Sequence, residues 1–187
     1  MVAIDNPERA RLGGEEVDFY AEAIKKSTEF RADYKTRLKV VKSEDMPFEN
    51  SPDGLIKHII NENMDTAENC VDAYMQFVQP GKASGIHRHL SEELVFILEG
   101  EGYDLHWDVK FECEEEFVWA WENEPKRFDW KAGDFVYIPP YCIHQHHAKV
   151  GGEARFICIT SRIVKAMGFD WLDQLENAPE YDGGHEG

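Results

Sequence analysis

The spacing of apolar and polar residues changes along the chain and divides it into three regions. Between Glu15 and about Lys39, apolar residues recur at helical spacing among many charges, which predicts one or two amphipathic helices. From Leu55 onward, short β-type runs alternate with Gly, Pro and Asn turn signals, a pattern typical of a β-sandwich or barrel. Residues 165–178 resemble a short C-terminal helix, and residues 1 to about 13 are expected to form a mobile arm.

Length and composition favour one soluble globular unit. The chain has 187 residues, the usual size of one domain, and 42% of them are hydrophobic, which is enough to build a core without disulfides. Its four cysteines have no CxxC spacing and are expected to stay reduced. No apolar stretch reaches the length of a membrane span or resembles a signal peptide, so we expect a cytoplasmic protein.

The charge of the chain argues against two classes of partner. The net charge is −17 with histidine neutral, and an acidic protein is repelled by nucleic acids and by anionic membrane surfaces. We therefore expect a small-molecule substrate, with neither nucleic acid nor membrane as a partner. We interpret the acidic run around residues 112–116 as a solvated turn.

Two groups of histidines carry the candidate chemistry. His87 and His89 are two residues apart, so they share one face of a strand, and Glu93 keeps the same parity. Two imidazoles and a carboxylate on one face are ligands that suit iron, manganese, nickel, cobalt or zinc. In the second group, His144 and His146 share a face if their strand is regular.

These residues resemble the two sequence motifs of the cupin superfamily. The first motif is matched at every fixed position, from Gly81 through His87, His89 and Glu93 to Gly100. The second runs from Gly133 through Pro139 to His144, but Tyr141 stands where the superfamily has a glycine and Ala148 where it has an asparagine. The resemblance covers roughly residues 70–160.

The resemblance implies an all-β jelly-roll barrel with a metal ion on His87, His89, Glu93 and His144. The expected organisation is an N-terminal arm with a helix (residues 1–50), a cupin barrel (51–164), and a C-terminal helix and tail (165–187). A hairpin is expected in the long interval between the two motifs, where four tryptophans cluster. We interpret these tryptophans as core or subunit packing in preference to a substrate-holding role. Small cupins associate through barrel faces, so a homodimer or higher homo-oligomer is expected.

Four protein ligands would leave up to two positions open on an octahedral ion, enough for a substrate and O2 or water to bind side by side. The mixed ligand set and the aromatic-rich barrel favour an Fe(II)-dependent dioxygenase of a small aromatic or carbonyl-containing compound. Mn, Zn, Ni or Co would instead support a non-redox isomerase, lyase or decarboxylase, with His146, Tyr137 or Tyr141 as catalytic acid or base. A ligand-binding cupin without turnover is the third hypothesis.

Overall fold

The many short strands predicted from Leu55 onward are present in a computed structural model, which describes residues 17–66, 70–113, 117–169 and 171–183. The expected mobile arm at residues 1–13 lies outside these ranges. Within them the strands, in chain order, are β1 Phe48–Ser51, β2 Gly54–Ile60, β3 Val71–Val78, β4 Ile86–His89, β5 Glu93–Glu99, β6 Glu101–Trp107, β7 Val109–Cys113, β8 Phe117–Trp121, β9 Lys126–Lys131, β10 Phe135–Ile138, β11 Ile143–Ala148, β12 Ala154–Ser161 and β13 Leu172–Glu176. The helices are α1 Phe19–Asp33, a 3₁₀ turn Ser43–Asp45, and α2 Ile163–Ala166.

Two antiparallel sheets build the barrel. One has the strand order β1-β2-β3-β12-β5-β10, and the other has the order β13-β4-β11-β6-β9. Neighbours that are distant in sequence, such as β12 between β3 and β5, are the crossovers of a Greek-key arrangement. The all-β jelly-roll expectation is therefore confirmed.

Strict alternation of side chains decides what lies inside the barrel. On β5, Glu93, Val95 and Ile97 are buried while Leu94 is exposed. On β12, Phe156 is fully buried, and removing such a side chain from water contributes about 1.5–3 kcal/mol. The same parity that builds the apolar core thus also places a carboxylate inside the barrel.

One glycine is required by close packing inside the second sheet. A Cβ on Gly102 would lie 2.2 Å from Cη2 of Trp130 and 2.0 Å from the carbonyl oxygen of His147. The indole of Trp130 therefore packs across β6 where any side chain would block it.

Helix α1 lies within residues 15–39, where the spacing of apolar residues predicted helical structure. α1 has no side-chain cap and no buried residue. The Arg37 guanidinium lies 4.6 Å from the centre of the Phe30 ring, a cation–π contact after the helix end. No helix among the described residues is both long and apolar enough to cross a membrane.

The C-terminal segment differs from the prediction. A helix was expected over residues 165–178, but α2 ends at Ala166 and residues 172–176 form strand β13, which pairs antiparallel with β4. Gly168 ends the helix with a φ of 86°, a left-handed conformation that favours glycine. Backbone pairing with β4 then outweighs the weak helical spacing of the sequence.

The expected hairpin between the two motifs is β7 paired with β8. The tryptophans in the interval between the two motifs have different environments. Trp130 is buried in the core, whereas Trp119 and Trp121 contact Tyr141 at ring-centre distances of 5.1 and 5.5 Å. Packing therefore accounts for these three indoles.

Candidate metal centre

Three strands bring the four predicted ligands together. β4 carries His87 and His89 on one face, β5 begins with Glu93, and His144 lies on β11 directly opposite His87 in the β4–β11 pairing. The donor atoms of all four residues lie within 4.8 Å of one another. His87, Glu93 and His144 are buried and His89 is partly exposed, so the cluster is open on the His89 side.

The donor atoms of these four residues are close enough together to face one common point. Oε2 of Glu93 lies 3.1 Å from Nε2 of His89 and 3.2 Å from Nε2 of His144. The rings of His87 and His144 are 4.1 Å apart between centres. The four donors therefore converge on one small volume.

Outer neighbours orient the three imidazoles. Nδ1 of His89 lies 2.7 Å from the carbonyl oxygen of Ser91, and Nδ1 of His144 lies 3.0 Å from that of Cys142. A carbonyl oxygen can only accept, so each Nδ1 carries the proton and each Nε2 lone pair faces the centre. Nδ1 of His87 faces Oδ1 of Asp53 at 3.1 Å.

The environment lowers the pKa values of both Glu93 and His144, for different reasons. Burial alone would raise the pKa of Glu93, yet its contacts with His144 and His89 hold that pKa well below the usual range. Burial, helped by the neighbouring His87, lowers the pKa of His144 to about 3, which keeps the imidazole neutral. A carboxylate anion beside a neutral imidazole is the protonation pattern that a metal ion needs.

The donor set fits a divalent metal ion. Nε2 of His144 is buried and makes no hydrogen bond with any residue that the structure describes, although Glu93 is only 3.2 Å away. A buried acceptor without a donor costs free energy that a bound cation would recover. Three imidazoles and one carboxylate are suitable ligands for Fe, Mn, Co, Ni or Zn, and the cluster could hold one such ion.

A cleft of about 640 Å³ leads to this cluster, and both His87 and His89 lie on its wall. Apolar side chains line one part, including Leu90, Phe169 and Trp171, whereas Tyr74 and polar residues from the strand ends line another. The volume of this cleft, and its combination of apolar and polar walls, are typical of small-molecule sites in proteins.

A second polar cluster lies buried beside the first. His146 is on the inner face of β11, as its parity predicted, and its Nδ1 lies 2.9 Å from Oδ1 of Asp104. The same oxygen accepts a 2.6 Å hydrogen bond from Nε1 of Trp130. Burial would lower the pKa of His146, but the Asp104 carboxylate raises it to about 9. His146 is 5.5 Å from His144 between ring centres.

The two tyrosines that were predicted as catalytic residues do not line the cleft. Tyr137 alternates with the buried Val136 and Ile138 on β10, so its side chain is exposed on the outer face of the sheet. The Tyr141 ring packs against Trp119 of the hairpin and lies 5.0 Å from the Arg88 guanidinium.

The backbone conformation at Tyr141 accounts for the glycine that the second cupin motif has at this position. Its φ is 65°, the only positive value for a non-glycine residue in the part of the chain that the structure describes. This position therefore needs the conformation that a glycine adopts freely. Here the Tyr141 N–H donates to His89 and its carbonyl accepts from Trp121, which hold the backbone in place.

Sequence reasoning missed two residues that contact the ligands. Asp53 lies in the turn between β1 and β2, and Tyr74 donates a 3.4 Å hydrogen bond from its hydroxyl to Oε1 of Glu93. Both are separated from the histidine motifs in sequence. Tyr74 and the buried Gln76 are two residues apart and lie on the same face of β3. This spacing was the only feature of the sequence that indicated an inward-facing Tyr74.

Comparison with known proteins agrees with the fold. A family model described as the JmjC domain (JmjC_2) matches residues 46–165. No curated protein matches the chain. Among solved structures, the manganese-containing oxalate decarboxylase of Bacillus subtilis is 16% identical with a TM-score of 0.51, covering 71% of this chain and 30% of that one.

Two further solved structures are similar to the chain at lower TM-scores. The oxalate decarboxylase of Lactobacillus farciminis is 17% identical with a TM-score of 0.49, over 68% of this chain and 35% of that one. A cupin-like protein of Thermotoga maritima is 20% identical with a TM-score of 0.46, over 81% and 96%. The chain thus spans about a third of the length of the decarboxylases. The family match covers more than half of its residues, and the chain belongs to the JmjC domain family within the cupin superfamily.

Proposed function

We propose that the protein is an Fe(II)-dependent dioxygenase of a small aromatic or carbonyl-containing organic compound. The observation that carries this proposal is the position of the His87, His89, Glu93 and His144 cluster at the wall of a cleft large enough for such a molecule. Bound Fe(II) would supply the electrons that activate O2, and a mixed set of imidazoles and carboxylate is the ligand type used by non-haem iron oxygenases.

The lining of the cleft supports an aromatic or partly apolar substrate. The Phe169 and Trp171 rings meet edge to face at 6.0 Å, with an interplanar angle of 88°. Together with Leu90 they give the cleft an apolar wall near His89, against which a planar molecule can pack. The aromatic wall therefore comes from the C-terminal segment and not from the tryptophan-rich hairpin.

The test is oxygen uptake by protein that was purified anaerobically and loaded with Fe(II). Aromatic and carbonyl compounds are added one at a time, and His144→Ala provides a control without a complete ligand set. We expect at least one compound to stimulate O2 consumption by the wild-type protein and not by the variant. Iron-loaded protein that no compound stimulates would contradict the proposal.

A second candidate is a non-redox isomerase, lyase or decarboxylase that uses Mn, Zn, Ni or Co. The observation that favours it is His146, which is buried beside His144 and whose Nε2 makes no hydrogen bond within the described part of the chain. An imidazole held in this way by Asp104 can serve as a general acid or base. Turnover with Mn or Zn under strict exclusion of oxygen, abolished in His146→Gln, would favour this function. A ligand that binds tightly and is recovered unchanged would instead indicate a binding protein.

A further inference from the structure

The two oxygens of the Glu93 carboxylate face different neighbours. Oε2 lies 3.1 Å from His89 Nε2 and 3.2 Å from His144 Nε2, on the side of the imidazoles. Oε1 accepts a hydrogen bond from the Tyr74 hydroxyl at 3.4 Å. Because Glu93 is completely buried, no water competes for either oxygen from bulk solvent. The orientation of the carboxylate is therefore set by protein groups on both sides.

Two adjacent strands provide the groups on the Oε1 side. Tyr74 on β3 is directly opposite Cys158 on β12, and the fully buried Cys158 thiol lies close enough to Tyr74 and Glu93 for both groups to shift its pKa. Phenol and thiol are both protonated at neutral pH, so each can donate to a carboxylate. Since β12 pairs with β5 as well as with β3, the donors and Glu93 belong to one continuous sheet.

We infer that Tyr74, supported by Cys158, is a positioning residue that restricts Glu93 to one metal-binding oxygen, Oε2. Three imidazoles and one carboxylate oxygen make four protein donors, which leave two positions on a six-coordinate ion. A carboxylate that bound through both oxygens would leave only one. The inference rests on the proposed function only in assuming a bound metal ion, and it explains how substrate and O2 could bind together.

The role of the hydroxyl can be separated from that of the ring. The Tyr74 ring packs against the apolar core, and a phenylalanine would fill the same space. Only the hydroxyl reaches Glu93. Tyr74→Phe therefore removes the hydrogen bond while leaving the packing of β3 in place, and an isosteric change of this kind is tolerated well in a core.

The experiment uses nitric oxide as a probe of open positions on Fe(II). Wild-type protein, Tyr74→Phe and the control Tyr103→Phe are loaded anaerobically with Fe(II), and the iron–nitrosyl signal is titrated by electron paramagnetic resonance. Tyr103 is a matched control because its ring stacks on His147 at 4.5 Å, away from Glu93. Iron affinity is measured in the same preparations.

We expect Tyr74→Phe to retain iron affinity within about threefold of wild type, because the freed Oε1 would bind the ion beside Oε2, while its affinity for nitric oxide falls by about tenfold because one open position is lost. Tyr103→Phe should match wild type in both measurements. Nitric oxide affinity that is unchanged in Tyr74→Phe would overturn the inference. So would a loss of iron with normal nitric oxide binding by the iron that remains, since that result indicates a structural role.

A second variant keeps the test decisive if Tyr74→Phe does not fold. Cys158→Ala removes the supporting thiol and leaves Tyr74, so nitric oxide affinity should fall by a smaller factor, and no fall would contradict the inference. Neither measurement requires turnover. Wild-type protein that binds iron and nitric oxide but oxidises no substrate would overturn the dioxygenase proposal and leave the role of Tyr74 standing.

Discussion

The Asp53 carboxylate, which faces Nδ1 of His87, offers the most direct test of the proposed metal site. Oδ1 of Asp53 lies 3.1 Å from Nδ1 of His87, and Oδ2 accepts a 2.9 Å hydrogen bond from Nε2 of Gln76. The charge of Asp53 makes the His87 ring a stronger donor to a cation and fixes its orientation. We predict that Asp53→Asn, which keeps the shape and loses the charge, weakens metal binding.

The magnitude follows from the general effect of such outer neighbours. Removing one typically lowers metal affinity about 10–100-fold, which corresponds to about 1.4–2.7 kcal/mol. The cost to folding should be smaller, because the asparagine oxygen can still accept from Gln76, and one hydrogen bond contributes only about 1 kcal/mol. We therefore expect Asp53→Asn to lose much of its metal affinity while losing little folding stability.

The assay is competition for Co(II) between the protein and a chromophoric chelator, with urea unfolding of the metal-free protein alongside. Asp173→Asn is the matched control. Asp173 on β13 is partly exposed and forms a 2.8 Å ion pair with Arg88, whose side chain is on the face of β4 opposite His87 and His89. The control should bind Co(II) as wild type does. If Asp53→Asn also bound Co(II) within about twofold of wild type, the proposed role of Asp53 would be wrong.

Three further outcomes are expected from single substitutions. His144→Ala should lose most of its metal, with a more than about hundredfold drop in affinity and an unchanged circular dichroism spectrum; full metal content would refute the four-residue site. In metal-free protein, His146 has a pKa of about 9, above its value of about 6.5 when unfolded, so its stabilisation is complete below pH 6.5 and is lost as the pH rises through 9. Urea unfolding at pH 6 and pH 9 should show this loss in wild type but not in His146→Gln. Gly102→Ala should cost about 1–3 kcal/mol in urea unfolding, because its Cβ would overlap Trp130, whereas Gly151→Ala, with open space around it, should cost far less.

The ligand cluster was predictable because it depends on local rules. His87 and His89 share a strand face by parity, and the spacing to Glu93 and His144 matches known motifs. Parity also placed His146 inside the barrel. These inferences need only the two-residue period of a strand and a family pattern, both of which are written in short stretches of sequence.

The neighbours of the ligands were not predictable, because long-range pairing brings them to the site. Asp53 reaches His87 from the β1–β2 turn, and Tyr74 reaches Glu93 through the order β3-β12-β5. Strand β13 was mistaken for helix for the same reason, since its hydrogen bonds to β4 come from residues more than 80 positions earlier. Local propensity carries no information about such partners.

The order of the inward side chains along the strands gives the barrel interior a polarity gradient. On β11, His144 and His146 are followed by Ala148, and on β5, Glu93 is followed by Val95 and Ile97. The end that carries His144 and Glu93 borders the cleft, whereas the other end is sealed by apolar packing. Charge is therefore concentrated beside the cleft, and apolar side chains pack behind it. Electrostatic interactions between a bound cation, Glu93 and a substrate would accordingly be stronger here than in bulk water. A fold stabilised at one end by apolar burial can thus hold an ionic site at the other, and the two-residue period of each strand places both on the same inner face.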